Sequence, residues 1–325
     1  MKKTIVYGLG TAYKKIISDY FNKNNQDYLI TAVTDKKSPK NGLDLKYDFI
    51  SRDNIQKKDF DIILVTSNKY YEEIKNELIS SFEIEPEKII SLETVLSGYY
   101  ARSFYCDLFT DKIGVEVGGP SQVFECIYSV AKRIDGVNFS PDTVWWKAGG
   151  NQYVSNSGHV LGDIIIADAV DLSGVKDSQY DFYISSNNLE HIANPMKAVF
   201  EALRVVKGGG LVCIVVPKKD TCFDHNRDFT SFSHILDDYK NNIQEDDLTH
   251  LSEILTKHDY SLDPACGGKL NFHKRGLKNA ENRCLHHHVF SLDVLKSMIS
   301  YFDSVQIISA GELCGDYFIL CRKLK

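Results

Sequence analysis

No long apolar run occurs anywhere in the 325 residues. Nothing approaches the roughly 18 consecutive apolar residues that a membrane-spanning helix needs. The opening MKKTIVYGLG has two lysines and only a short apolar run before Gly8, too little for the core of a secretory signal. There is no CxxC pair, although eight cysteines are spread from Cys106 to Cys321. That spacing excludes a zinc-finger pattern and a disulfide framework. Cys213 and Cys321 lie in apolar runs, where cysteine packs as a small hydrophobe. A cytoplasmic protein with reduced thiols is the expectation. Positive charge is also short: 38 Lys and Arg face 44 Asp and Glu, for a net charge of −6. Nucleic-acid affinity depends on clustered cations that neutralise phosphates. Here the pairs Lys2-Lys3, Lys36-Lys37 and Lys57-Lys58 are short and scattered, as on a solvated face. No nucleic-acid partner is expected. Nor is there a Pro- or Ser-rich linker, so any domain junction should be packed.

What is present is ordinary globular chemistry, with 43% hydrophobic and 25% charged residues, in a chain long enough for two domains. An apolar strand, TIVY, leads into Gly8-Leu9-Gly10 and then a helical pattern through Ile16, Ile17, Tyr20 and Phe21. Further strands are expected at Tyr28 to Thr34, Phe60 to Thr66 and Lys88 to Ser91, with a helix over Lys69 to Phe82. Asp35 ends the second strand. This is Rossmann-like βαβ repetition, but Tyr13 stands where a dinucleotide fingerprint has its third glycine, which that motif uses for close helix–strand packing. A docking, dimerising or acceptor-positioning domain over residues 1–100 is the main reading. A bound NAD or nucleotide is the alternative. The aromatic stretch Gly98 to Phe109 is expected to be helical and to mark the boundary.

Four later anchors follow one order: GVEVGGPS (Gly114 to Ser121), IIIADAVDL (Ile164 to Leu172), DFYISSNNLEHI (Asp181 to Ile192) and RVVKGGGLVCIVVP (Arg204 to Pro217). Each sits at the carboxyl end of a strand or leads into the next one, where an open α/β sheet places its ligand. Gly118-Gly119-Pro120-Ser121 lies at a strand-to-helix turn. Glycine there lets backbone approach a ligand closely, and a helix N-terminus favours negative charge. A helix is expected through Phe124, Ile127, Tyr128 and Ala131. Gly208-Gly209-Gly210 suits helix termination.

Residues 101–325 resemble a class I S-adenosylmethionine-dependent methyltransferase, of the bacterial type that methylates oxygen on small molecules or glycans. The resemblance implies an α/β fold of two tandem Rossmann-like domains, the second a seven-stranded methyltransferase sheet. The C-terminal strands SVQIIS and DYFILCR would supply its closing hairpin. The resemblance also implies a cofactor set: Glu116, Gly118, Gly119, Pro120 and Ser121 at the methionine end, Asn138 at the ribose, Asp168 on the adenine amino group with Ala169 as the adjoining backbone donor, and Asn187 after the fourth strand. The family has a carboxylate where this chain has Asn138, with Asp142 beyond it.

An insert over residues 217–290, after strand five, is not required by that fold. It holds Asp224-His225-Asn226-Arg227-Asp228, an acidic run from Gln244 to Asp247, His250 with Glu253, and Arg283-Cys284-Leu285-His286-His287-His288. Long polar insertions often form lids or binding loops. Methyl transfer to a sugar hydroxyl needs alignment and a base. A neutral histidine or an aspartate would serve: His191, His225 and His287 are the candidates, with Asp224 as orienter. A divalent metal is the alternative, on His250, Glu253 and His288. The expected activity is O-methylation of a polar acceptor, a sugar or sugar phosphate of bacterial surface-polysaccharide synthesis. A non-catalytic scaffold with a degenerate cofactor site is the rival reading. A homodimer is compatible with either.

Overall fold

The computed structural model describes residues 1–10, 13, 27–39, 46–141, 151–313 and 315–325. The expected helix through Ile16 and Phe21, and the residues Asp142 and Cys314, lie outside them. The chain divides into two compact units, Met1–Tyr99 and Tyr100–Lys325.

In the first unit, strands β1 (Lys2–Tyr7), β2 (Tyr28–Thr34), β3 (Ile62–Val65) and β4 (Ile89–Ser91) form a parallel sheet in the order β2-β1-β3-β4. Its central strands are buried and rich in Ile and Val, as strands covered on both faces are. Helix α1 (Tyr71–Phe82) turns Ile74 and Leu78, one turn apart, onto Ile5, Ile63 and Val65. The Asp35 carboxylate accepts the Leu9 N–H at 2.8 Å, so the acidic residue after β2 fastens the glycine turn.

Helix α2 spans Leu92–Ser103. The second unit is built on one mixed sheet of eight strands: β5 (Ile113–Val117), β6 (Arg133–Asn138), β7 (Gln152–Val154), β8 (Val160–Ile166), β9 (Tyr180–Ser186), β10 (Val206–Pro217), β11 (Val305–Glu312) and β12 (Asp316–Lys323). The order is β11-β12-β10-β9-β5-β6-β8-β7. The five strands from β10 to β8 pair in parallel, and β11, β12 and β7 run antiparallel to their neighbours. The expected seven strands become eight because the short β7 adds to the β8 edge, opposing Tyr153 to Gly162. Three residues without alternation carry no strand signal of their own. β7 is held by burial of the Tyr153 ring, which is 0% exposed.

After β5 the chain moves to β6 and β8 on one side, and after β9 it moves to β10 on the other. The carboxyl ends of β5 and β9 therefore flank a topological switch point, the place where open α/β sheets bind ligands. Helix α3 is shorter than expected, Glu125–Tyr128 after a turn of 3-10 helix at Gln122–Phe124. It stops because Asp111 N–H bonds the Val130 carbonyl and Lys132 N–H bonds the Lys112 carbonyl, turning the chain back beside β5.

Helix α4 (Pro195–Val205) starts on an Asn194 side chain that accepts the Lys197 N–H at 3.1 Å, a normal N-cap with Pro at the first position. It buries Met196, Val199, Ala202 and Leu203 against β9 and β10. The Met, Val and Leu side chains contribute about 1.5–3 kcal/mol each on burial. The helix ends at Val205, directly before β10, and Gly208 to Gly210 instead occupy a register irregularity early in that strand.

The 217–290 region forms a small helical layer with its own core of Leu251, Ile254, Phe272 and Leu285. Its helices are α5 (Phe232–Lys240), α6 (Leu251–Lys257), α7 (Lys269–Gly276) and α8 (Asn279–Asn282). Helix α9 (Leu292–Ser300) then leads into the β11–β12 hairpin. No helix among the described residues is long and apolar enough to cross a membrane.

Candidate active site

A cavity of about 810 Å³ opens at the switch point, within the range of small-molecule sites. Its sheet side is made by Val117 and Gly118 after β5, Asn138 and Phe139 after β6, Asp168 and Ala169 after β8, and Asn187 and Asn188 after β9. The insert side is made by residues such as Phe223, Asp263, Arg275 and His286. Glu190 and His191 lie between the two sides, on the turn Leu189–His191.

The glycine turn is shaped by its own neighbours. Gly118 has φ +82°, and a Cβ there would come within 2.7 Å of the Asn188 side chain. A Cβ on Gly119 would collide with Glu116 and the Tyr153 hydroxyl. Glu116 itself does not line the cavity. It is 0% exposed and accepts the hydroxyls of Tyr128 at 2.6 Å and Tyr153 at 2.8 Å. Tyr128 in turn accepts the Ser121 N–H at 2.7 Å. Burial raises the Glu116 carboxyl to about 7, against the pull of the two tyrosines. Glu116, Gly119 and Pro120 thus stand behind the cavity wall, while Gly118 and Ser121 are on it.

Asp168 is engaged from both sides. One oxygen accepts the Val170 N–H at 3.1 Å, and the other pairs with Arg283 from the insert. Arg283 also bonds Glu245 at 2.7 Å and lies over the Phe139 ring, 5.1 Å from its centroid.

At the insert end, Asp224, Arg227, Glu190 and His286 are all nearly inaccessible. His286 Nδ1 lies 2.5 Å from Asp224 Oδ2. Arg227 bonds the other Asp224 oxygen at 3.2 Å and the carbonyls of His286 and His287 at 2.8 and 3.2 Å. The opposite nitrogen of His286 is 4.0 Å from Glu190 Oε1. Burial would push His286 down, but the Asp224 carboxylate outweighs it and the imidazole rises to about 10. Burial raises Glu190 to about 7, only partly offset by His286. Glu190 Oε2 has no hydrogen-bond partner among the described residues. His191 packs edge-on to His286, with centroids 4.5 Å apart, and burial holds it neutral, well below the usual histidine range.

Of the expected catalytic residues, His191 lines the cavity and Asp224 stands behind His286. His225 does not line it: its Nε2 pairs with Asp259 at 2.9 Å. His287 is also off the wall. Its Nε2 accepts from the Asn279 amide at 2.9 Å, and burial holds it at about 4. Consecutive residues of an extended segment face opposite ways, which puts His286 on the cavity and His287 against Asn279. The expected metal set is also regrouped. Glu253 lies by Arg227 and Lys257, whereas His250 and His288 meet His234 and Asp238. Glu190, His286, Arg227 and Arg283 were given no catalytic role from the sequence, although all four lie inside its polar clusters or the third anchor.

The orphaned Nδ2 atoms of Asn138 and Asn188 are buried donors on this wall. They fit a ligand rich in oxygen acceptors, as a ribose and a carboxylate are. Residues 112–214 match the family model described as "Methyltransferase domain", and residues 1–90 match "C2185-like, N-terminal". No curated protein matches the chain. Among solved structures it is similar to a SAM-dependent methyltransferase from Thermotoga maritima, at 13% identity and a TM-score of 0.38, covering 79% of this chain and 97% of the other. It is also similar to the N-methyltransferase NodS from Bradyrhizobium japonicum, at 10% identity and a TM-score of 0.37, covering 72% and 97%. A SAM-dependent methyltransferase from Methanosarcina mazei gives 15% identity and a TM-score of 0.35, covering 66% and 93%. The matched domain over residues 112–214, carried on this mixed α/β sheet, makes the chain an enzyme with a methyltransferase domain.

Proposed function

We propose that the enzyme methylates a hydroxyl of a polar acceptor, with Glu190 as the base. The acceptor class we infer is a sugar or sugar phosphate, of the kind used in bacterial surface-polysaccharide synthesis. One observation carries the chemistry: a buried carboxyl with an unused oxygen stands on the cavity wall beside an imidazolium. The polar acceptor end supports the substrate class. Arg275 and His286 can meet anionic or hydroxyl oxygens, and Phe223 offers a ring face.

Asn138 and Asn188 would donate to the cofactor's oxygens, Asp168 would accept its adenine amino group, and Gly118 would leave room for its methionine end. Bound there, S-adenosylmethionine supplies an electrophilic methyl group on a sulfonium. Glu190, ionised, would take the proton of the acceptor hydroxyl, leaving that oxygen free to attack an electrophilic methyl carbon placed beside it. His286 stays protonated through neutral pH, so it cannot be the base. Instead it stabilises the Glu190 carboxylate and can donate to an acceptor oxygen. Asp224 and Arg227 fix its ring.

Calorimetric titration with S-adenosylmethionine tests the cofactor placement. Asp168→Ala should weaken binding about 10- to 100-fold, the value of a hydrogen bond to a charged group. A change below about twofold would count against Asp168 as the adenine partner.

A further inference from the structure

A second group of imidazoles lies off the cavity wall. His234 and Asp238 are one turn apart on α5, so they share a face. His250 stands at the start of α6, and His288 is on the extended segment before α9. His234 Nε2 is 3.0 Å from His250 Nε2 and 3.4 Å from Asp238 Oδ2, which is 3.7 Å from His288 Nε2. One ligand atom from each of the four lies within 4.8 Å of the others.

One N–H···N bond can join His234 Nε2 to His250 Nε2 across 3.0 Å, one ring donating and the other accepting. His288 is 1% exposed, yet its Nδ1 has no partner among the described residues. A structural histidine so deep would normally use both nitrogens. A metal ion held by one atom from each of the four side chains is the alternative to these hydrogen bonds. Nitrogen and oxygen ligands sit about 2.0–2.2 Å from zinc in a tetrahedron, which puts neighbouring ligand atoms about 3.4 Å apart, and the spacings here bracket that value.

We propose that His234, Asp238, His250 and His288 bind one divalent transition-metal ion of the zinc type. Three imidazoles and one carboxylate suit zinc, nickel or copper better than magnesium or calcium, which prefer oxygen. The His234 side chain is 42% exposed and gives the ion a path in. His288 Nε2 also lies 3.2 Å from the Ala193 carbonyl, just past the turn that carries Glu190. The ion would therefore fasten α5, the start of α6 and the segment carrying His286 to the floor of the acceptor end. Its role is to hold the insert, and no step of the methyl transfer passes through it. The rival cluster of Cys222, Asp224 and His286 already contains the Arg227 cation on Asp224, which disfavours a second cation.

The test uses the full-length protein without a histidine tag, stripped with EDTA and dialysed. Zn²⁺ is titrated by calorimetry, and Co²⁺ by the visible ligand-field bands of a tetrahedral site. We expect about one ion per chain, and a Tm rise of about 5–10 °C at Zn²⁺ near one hundred times Kd. His234→Ala and His250→Ala should each abolish the Co²⁺ bands and weaken Zn²⁺ binding about 100-fold, a quarter share of a four-ligand zinc site. Cys222→Ser and Cys266→Ser should change neither. His234 is partly exposed, so its alanine variant separates loss of the ligand from loss of the fold. No binding at millimolar Zn²⁺ overturns the proposal. So does binding that survives both histidine variants, or that disappears only with the cysteine variants.

Discussion

At the residue scale, burial decides which group can do which chemistry. Histidines attract attention in a sequence because they titrate near neutrality, but depth divides these sharply. His191 and His287 are held neutral by burial, while His286 is held charged by Asp224. Burial raises three carboxyls to about 7, Glu116, Glu190 and Asp316; Glu116 lies behind the wall, and of the two on it Glu190 faces His286. Glu190 binds its proton more tightly folded than unfolded, so its contribution to stability is complete below about 4.5 and is lost as pH rises through about 7. Glu190→Gln removes that loss. Thermal melts should show the variant gaining on the parent as pH rises through this window, and a constant difference across it would disprove the buried-carboxyl account. Arg227 offers a second test. It is 2% exposed and bonds Asp224 and the His286 and His287 carbonyls, so Arg227→Ala should cost about 1–3 kcal/mol by leaving buried acceptors unpaired, while Asp224 keeps His286. Denaturant unfolding reads it directly, and a loss under about 1 kcal/mol would mean that water reaches those acceptors.

At the scale of elements, the legible parts were those set by local pattern. The run Leu211 to Val216 is apolar throughout and is buried on both faces in β10, as a central parallel strand must be. The turn after β5 was marked by its glycines, but for a different reason from the one expected. Gly119 makes room for Glu116 and Tyr153, and Tyr153 arrives from a three-residue edge strand with no signal of its own. Gly119→Ala should therefore destabilise the fold by about 1–3 kcal/mol, as overpacking does, whether or not cofactor is present. Equal melting of parent and variant without ligand would show that the turn is not packed this way. The pairings inside the insert were not legible. His286 meets Asp224 across 62 residues and Arg283 meets Asp168 across 115, and no local periodicity records such distances. The polar clusters were visible in the sequence, but their partners were set by how α5 to α8 fold back on the sheet.

At the scale of the whole molecule, every residue assigned to the cofactor or the acceptor lies within Tyr100–Lys325. The switch point between β5 and β9 places the Gly118 turn, Asn138 and Asp168 along one crevice, and the insert supplies the other wall. The account's central claim is that Glu190 removes the acceptor proton there. The most direct measurement is the pH dependence of methyl transfer from S-adenosylmethionine into sugar and sugar-phosphate acceptors, in parent and Glu190→Gln enzyme. The account predicts a parent rate that climbs as pH rises through about 7, and a variant slower by about 10²–10⁴-fold with no such limb and unchanged cofactor affinity. A variant with the parent's rate and the parent's pH profile would contradict it.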